Sequence, residues 1–250
     1  MCKKIVILCL SFLVLFFLHQ KTLPWLLLLK TEEGLAWDSH PTEEDLEKAK
    51  QILKSPFKFL SLGNQCFVFL SKDENYVLKI CKASRYRSLF QPTTARKKKH
   101  KESDFSSYSL AFQYLPNQSQ IVFLHLNTTK NLNTPIELVD PLGIPYFLNA
   151  DNLAFYIQKK ATPLSDHLKH PSLPESQIVL EKLLELFQST CKAGLQIRDV
   201  SPKNIGIYKD TPIWIDVGRI RKKPSLQTDV QAQKEEIQNF CLHLSSWFHA

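Results

Sequence analysis

Apolar positions recur along the chain with two different periods, and the change between them marks out the elements. Residues 57–63, 67–70 and 76–81 are short β-prone runs, and the polar stretch 71–75 makes a turn between the second and third. Residues 96–115 carry Phe105, Tyr108, Phe112 and Leu115 on one stripe with a period of about 3.6 residues, which predicts a helix. Residues 152–158 read as a further strand. A second helix is predicted over 177–192. Pro174 and Glu175 suit its first turn, Val179, Leu183, Leu186 and Phe187 make its buried face, and Gly194 suits its end. Residues 205–208 and 213–215 are apolar runs on either side of a turn-like 209–212, the pattern of a β-hairpin. Helices are also expected over 42–54, capped by Thr42 and docked through Leu46, Ala49 and Leu53, and over 229–247.

The hairpin brings chemistry with it. The residue entering its first strand and the residue leaving its second share the open end, and these are Asn204 and Asp216. A carboxylate and an amide oxygen meeting there suit Mg²⁺, a hard cation that prefers oxygen ligands and is often shared with substrate phosphates. Asp199 lies on the preceding turn, near enough to take a proton from an attacking hydroxyl. The layout is that of a phosphotransferase site.

Arg198, Asp199 and Asn204 match an Arg-Asp-(four residues)-Asn catalytic loop, and Asp216-Val217-Gly218 matches an Asp-apolar-Gly metal segment, 12 residues after Asn204. In these motifs the chain resembles the protein-kinase-like superfamily. The histidine usual before the arginine is Ile197 here. The absence of an Ala-Pro-Glu motif, and Ser201 two residues after Asp199, resemble the compact atypical branch, RIO-like or bacterial lipopolysaccharide-kinase-like. The resemblance implies further roles. Lys79, a charged residue inside an apolar strand, would contact nucleotide phosphates, with Glu102 on the next helix as its partner. Gly63 would belong to the phosphate-covering loop, although the three-glycine pattern is reduced to this one residue. Lys160 and Ala161 would form the hinge that binds adenine.

The implied fold is α+β, a two-lobed protein-kinase-like fold with a reduced C-lobe, preceded by an N-terminal hydrophobic helix. Residues 1–30 would be a signal anchor or signal peptide, 31–54 a linker with a short helix, and 55–250 the kinase-like domain, its N-lobe about 55–158 and its C-lobe about 159–250. The implied activity is ATP- and Mg²⁺-dependent transfer to a hydroxyl acceptor on a protein, sugar or lipid headgroup. The alternative is a pseudokinase, a membrane-associated nucleotide-binding or interaction module without turnover.

Composition adds three points. The apolar run 5–18 is short for a span of about 30 Å of hydrocarbon, but 5–29 together is long enough, and an uncleaved anchor is expected. A need for ATP favours the cytoplasmic face. The net charge of +8 is concentrated in Arg85, Arg87 and the block Arg96-Lys97-Lys98-Lys99-His100-Lys101. That block suits a solvated helix face, anionic headgroups or a phosphorylated substrate, and lacks the aromatic interleaving of a nucleic-acid surface. The cysteines show no metal-binding spacing, and Cys66 and Cys81 fall on neighbouring predicted strands.

Overall fold

The computed structural model describes residue 37 and residues 41–86, 93–127, 129–167 and 173–248. The apolar runs 5–18 and 23–29, with the hydrophobic helix and membrane anchor expected of them, lie outside these residues, as does Arg87. Among the described residues no helix is long and apolar enough to cross a membrane.

Thr42 caps α1 (Glu43–Leu53) in both directions: its hydroxyl accepts from the Asp45 N–H and the Asp45 carboxylate accepts from the Thr42 N–H. The helix buries Leu46, Ala49, Ile52 and Leu53, as its spacing predicts. Three strands follow, β1 (Phe57–Leu62), β2 (Cys66–Ser71) and β3 (Tyr76–Cys81), then the short α2 (Ala83–Tyr86) and the long α3 (Ala95–Tyr114). After α4 (Pro116–Ser119) come β4 (Ile121–His125), β5 (Pro135–Val139), β6 (Pro145–Asn149) and β7 (Phe155–Lys159). These strands form one seven-stranded sheet in the order β4-β7-β3-β2-β1-β5-β6, antiparallel except where β1 meets β5. The strands β4, β5 and β6 are additions to the elements expected from periodicity.

The remaining chain is mostly helical: β8 (Thr162–Pro163), α5 (Leu164–His167), α6 (Leu173–Lys192), β9 (Leu195–Ile197), β10 (Ile205–Tyr208), β11 (Thr211–Trp214), β12 (Ile220–Lys222), α7 (Ser225–Thr228) and α8 (Val230–Phe248). Two small sheets, β11-β10-β8 and β12-β9, are set among these helices. Gly194 ends α6 with φ of +69°, a left-handed turn that any side chain would strain. The fold class is mixed α+β.

Strand alternation divides the apolar residues of the large sheet between two cores. Phe67, Phe69, Leu78, Ile80, Phe155 and Ile157 pack with α1. Cys66, Cys81, Ala154 and Tyr156 face the other way, joining Phe105 and Tyr108 of α3 and a core that continues into Phe187 of α6 and Phe240 of α8. Lys79 pairs across the sheet with Tyr156, so the same pleat turns it toward this second core. Cys66 and Cys81 are indeed cross-strand partners, with sulfurs 3.9 Å apart and both thiols free.

Candidate active site

The second hairpin is built as its sequence requires. Ile205 pairs with Trp214 and Tyr208 with Thr211, while Lys209 and Asp210 turn the chain at φ of +47° and +60°. Two successive positive-φ residues make the turn whose twist matches the flanking strands. At the open end the Asn204 carbonyl accepts from both the Ile215 N–H (2.9 Å) and the Asp216 N–H (3.2 Å), so Asn204 and Asp216 are adjacent. The Asn204 side-chain amide donates to the Asp199 carbonyl at 2.9 Å and ties the preceding loop to the same point. Pairing of β9 with β12, extended by the Arg198 N–H to the Arg219 carbonyl, holds residues 198–204 against 216–219. Ile197, in the place of the usual histidine, pairs across the sheet with Ile220 and anchors the loop by apolar packing.

Asp199 and Asp216 are exposed at this end. Asp216 Oδ1 accepts from the Gly218 N–H at 3.0 Å, which fixes the carboxylate relative to its own backbone. The exposed Asp216 carboxylate and the half-buried Asn204 amide, on residues joined through their backbones, offer oxygen ligands of the kind a hard divalent cation takes. Lys79 enters from the large sheet. Its Nζ donates to the Ile215 carbonyl and lies 5.4 Å from the centre of the Tyr156 ring. Burial pulls the Lys79 pKa down, and the nearby Asp216 carboxylate offsets part of that. Lys79, Asp199, Asn204 and Asp216 therefore lie at the same end of the hairpin.

Glu102 does not join them. At about 100° per residue, Asp104 falls in the middle of the arc made by Phe105, Ser107, Tyr108 and Ala111, and Glu102 falls on the far side of α3. Glu102 is exposed, whereas Asp104 is 3% exposed and accepts from Arg85 Nε at 2.5 Å. Among the described residues no carboxylate lies within ion-pair distance of Lys79. An aromatic shelf is there instead, Tyr156 backed by Tyr108 at 5.0 Å between ring centres. The choice of Glu102 fails because it is counted back from Phe105, which lies at the edge of the buried arc, so the count leaves that arc on the solvent side.

The hinge is also more committed than the resemblance implied. The Lys160 N–H donates to the Asn75 carbonyl at 3.0 Å, and its ammonium lies 3.5 Å from Glu74, so that N–H is not left for a purine. Ala161 packs against Gly206, where a Cβ would come within 2.8 Å of the Ala161 methyl.

At the tip of the β1–β2 turn, Gly63 closes the loop through its N–H to the Cys66 carbonyl at 3.0 Å. The side chain of Gln65 reaches across the cleft. Its Nε2 donates to the Gly218 carbonyl and its Oε1 accepts from the Tyr108 hydroxyl, both at 3.1 Å. A Cβ on Gly218 would stand 1.7 Å from Gln65 Oε1. The space left between Asn64, Gln65, Asp199, Asp216 and Arg219 is about 30 Å³. Gln65 thus spans the cleft from the β1–β2 turn to Gly218.

Three residues that hold the site escaped the sequence reading. Ser107 of α3 donates to the Val217 carbonyl and accepts from the Ile220 N–H, clamping the segment that carries Asp216. Gln158, at 1% exposure, donates to the Ser119 and Trp214 carbonyls and joins the large sheet to β11. Arg219 lines the cleft beside Asp199. A serine within a buried helical stripe and a glutamine ending an apolar strand are the signals that mark the first two.

No protein-family profile matches the chain, and no curated protein matches its sequence. Among solved structures it is similar to WbdD bound to the kinase inhibitor LY294002, at 18% identity and a TM-score of 0.44 over 77% of this chain and 38% of that one. It is also similar to a structure described as the bifunctional kinase-methyltransferase WbdD, at 20% identity and a TM-score of 0.38 over 70% of this chain and 34% of that one. The chain spans little more than a third of those proteins, and likenesses of this size assign no activity.

Proposed function

We propose that the chain is a phosphotransferase that moves the terminal phosphoryl group of ATP to an alcohol. The observation that carries this reading is the meeting of Asp199, Asn204, Asp216 and the Lys79 ammonium at one end of the β10–β11 hairpin. Asp199 takes the proton of the acceptor hydroxyl as its oxygen bonds to the γ-phosphorus. The bond from that phosphorus to the β–γ bridging oxygen breaks, and ADP leaves with the electron pair. Asn204 and Asp216 would hold Mg²⁺, which supplies charge neutralisation at the β- and γ-phosphates. Lys79 adds a second positive charge next to Asp216. It needs no carboxylate on α3, because the Ile215 carbonyl and the Tyr156 face already position it. Positioning and electrostatics account for the catalysis, as phosphoryl transfer requires little else of a protein.

The same proposal includes a division into two lobes near residue 159 and membrane attachment through residues 5–29 with the catalytic part on the cytoplasmic side, where ATP is present. Protease protection of the full chain in inverted and right-side-out vesicles tests that orientation.

Calorimetry on the full chain tests the chemistry. ATP is expected to bind more tightly with Mg²⁺ than without, and Asp216→Asn to remove most of that difference. Asp199→Asn is expected to keep the ATP affinity and lose phosphoryl transfer. ATP affinity indifferent to Mg²⁺ in folded protein would overturn the metal assignment. Binding with no transfer to protein, sugar or lipid acceptors would instead mark a pseudokinase.

A further inference from the structure

Beside the catalytic cleft lies a second depression of about 450 Å³, lined by Lys82, Arg85, Thr94, Arg96, Lys97 and His100. Its size falls in the ~300–1,000 Å³ range of small-molecule sites. Asn64 and Arg85 line both this depression and the cleft that contains Asp199 and Asp216, so the two adjoin. We propose that this basic pocket binds a phosphate group carried by the acceptor, with the acceptor hydroxyl over Asp199. The inference rests on the phosphotransferase reading for the placement of that hydroxyl.

The charge of the pocket supports an anion of more than one negative charge. Lys82, Arg85, Arg96 and Lys97 are cations, and no carboxylate is among the described residues that line the walls. Asp104 takes up Arg85 through Nε. A guanidinium held through Nε keeps its two terminal nitrogens for a second, bidentate acceptor such as phosphate. Lys97 donates to the Ser84 carbonyl at 2.8 Å, which holds the start of α3 against α2 and keeps the cations together. Burial lowers the Lys82 pKa, the Cys66 sulfur offsets part of that and Arg85 lowers it a little further; a bound anion would favour the charged form. The donor is a poor candidate for this pocket. Lys79 and Asp216, which would meet the ATP phosphates, are not among its lining residues.

A phosphomonoester has two sources, a soluble metabolite or a lipid headgroup. Titration of the full chain with inorganic phosphate and with glycerol 3-phosphate reads the pocket directly. Arg96→Gln/Lys97→Gln is expected to weaken both by about tenfold or more, the effect of losing charge-assisted hydrogen bonds, with the MgATP affinity retained. Arg96→Lys/Lys97→Arg keeps the charge and should retain most of the binding, which separates loss of the site from loss of the fold. Flotation with phosphatidylcholine vesicles, with and without phosphatidic acid, then assigns the source. Binding gained with phosphatidic acid and lost in the Gln variant points to a headgroup; soluble phosphate binding alone points to a metabolite. Phosphate binding that is equal in wild type and the Gln variant, or that MgATP displaces completely, would overturn the proposal. Phosphate binding that depends on Arg96 and Lys97 in a protein that fails to bind MgATP would keep the pocket and remove the phosphotransferase reading, so the two fail separately.

Discussion

A side chain at position 218 would collide with Gln65, which closes the cleft against Gly218. Opening it breaks the Gln65 bonds to Gly218 and Tyr108, each worth ~0.5–1.5 kcal/mol net. On the phosphotransferase reading, Gln65→Ala is therefore expected to raise the MgATP affinity by about fivefold or more, since the closed form no longer competes with the nucleotide. Weaker binding by this variant in calorimetry would show that Gln65 contacts the nucleotide and does not gate it. Ser107 is the counterpart on α3. It is fully buried, and Ser107→Ala strands the Val217 carbonyl and the Ile220 N–H together. The expected loss is ~1–3 kcal/mol in urea denaturation, the cost of a buried polar group left unpaired. A change near zero would mean that water enters and replaces the hydroxyl.

Among the elements, the connection between β4 and β5 depends on a single carboxylate. Asp151 accepts from the Thr129 hydroxyl, from the Leu132 N–H at 3.1 Å and from the Asn133 N–H at 2.7 Å. Burial alone would raise the Asp151 pKa, but these bonds outweigh it, with help from His125, and hold it below the ordinary carboxylate value. A depressed folded pKa means that the stabilisation is complete above the unfolded value, about pH 3.9, and is lost as pH falls through the lower folded one. Acidification below about pH 4 is expected to destabilise the wild type more steeply than Asp151→Asn, whose side chain does not titrate. Denaturation midpoints measured from pH 6 to pH 2 check this. Parallel curves would remove Asp151 from the acid response.

On the scale of the whole molecule, the large sheet and the helical part share one core. Tyr108 and Tyr156 continue into Phe187 and Phe240, which stack at 4.1 Å between ring centres. Gln158 bonds to the Trp214 carbonyl, and the Trp214 indole N–H donates to Thr190 on α6 at 2.9 Å. Such continuity predicts a single cooperative unfolding transition for the described part of the chain. MgATP at a hundredfold excess over its dissociation constant should move that transition as a unit, by ~2.7 kcal/mol. Phe240→Ala, which opens a cavity in the helical part of the core, should lower the same transition by ~3–5 kcal/mol. Two resolved transitions in scanning calorimetry, only one responding to MgATP, would show that the core is divided.

The sequence by itself determined what is local. The β10–β11 hairpin, and hence the meeting of Asn204 with Asp216, follows from two apolar runs and a turn within a few residues of each other, because short-range pairing leaves little choice of partner. Strand alternation likewise set which way Lys79 points once β3 was paired on both sides. The capped helix α1 was legible for the same reason. Other features were decided by contacts between distant parts of the chain. Gln65 and Gly218 are 153 residues apart, and Ser107 and Val217 are 110 apart. Asp104 could be buried, and Glu102 left outside, only because Arg85 arrives from another helix to compensate its charge. Periodicity reports which face of a helix is apolar, but it is silent on the partner that allows one charge into that face and keeps another out.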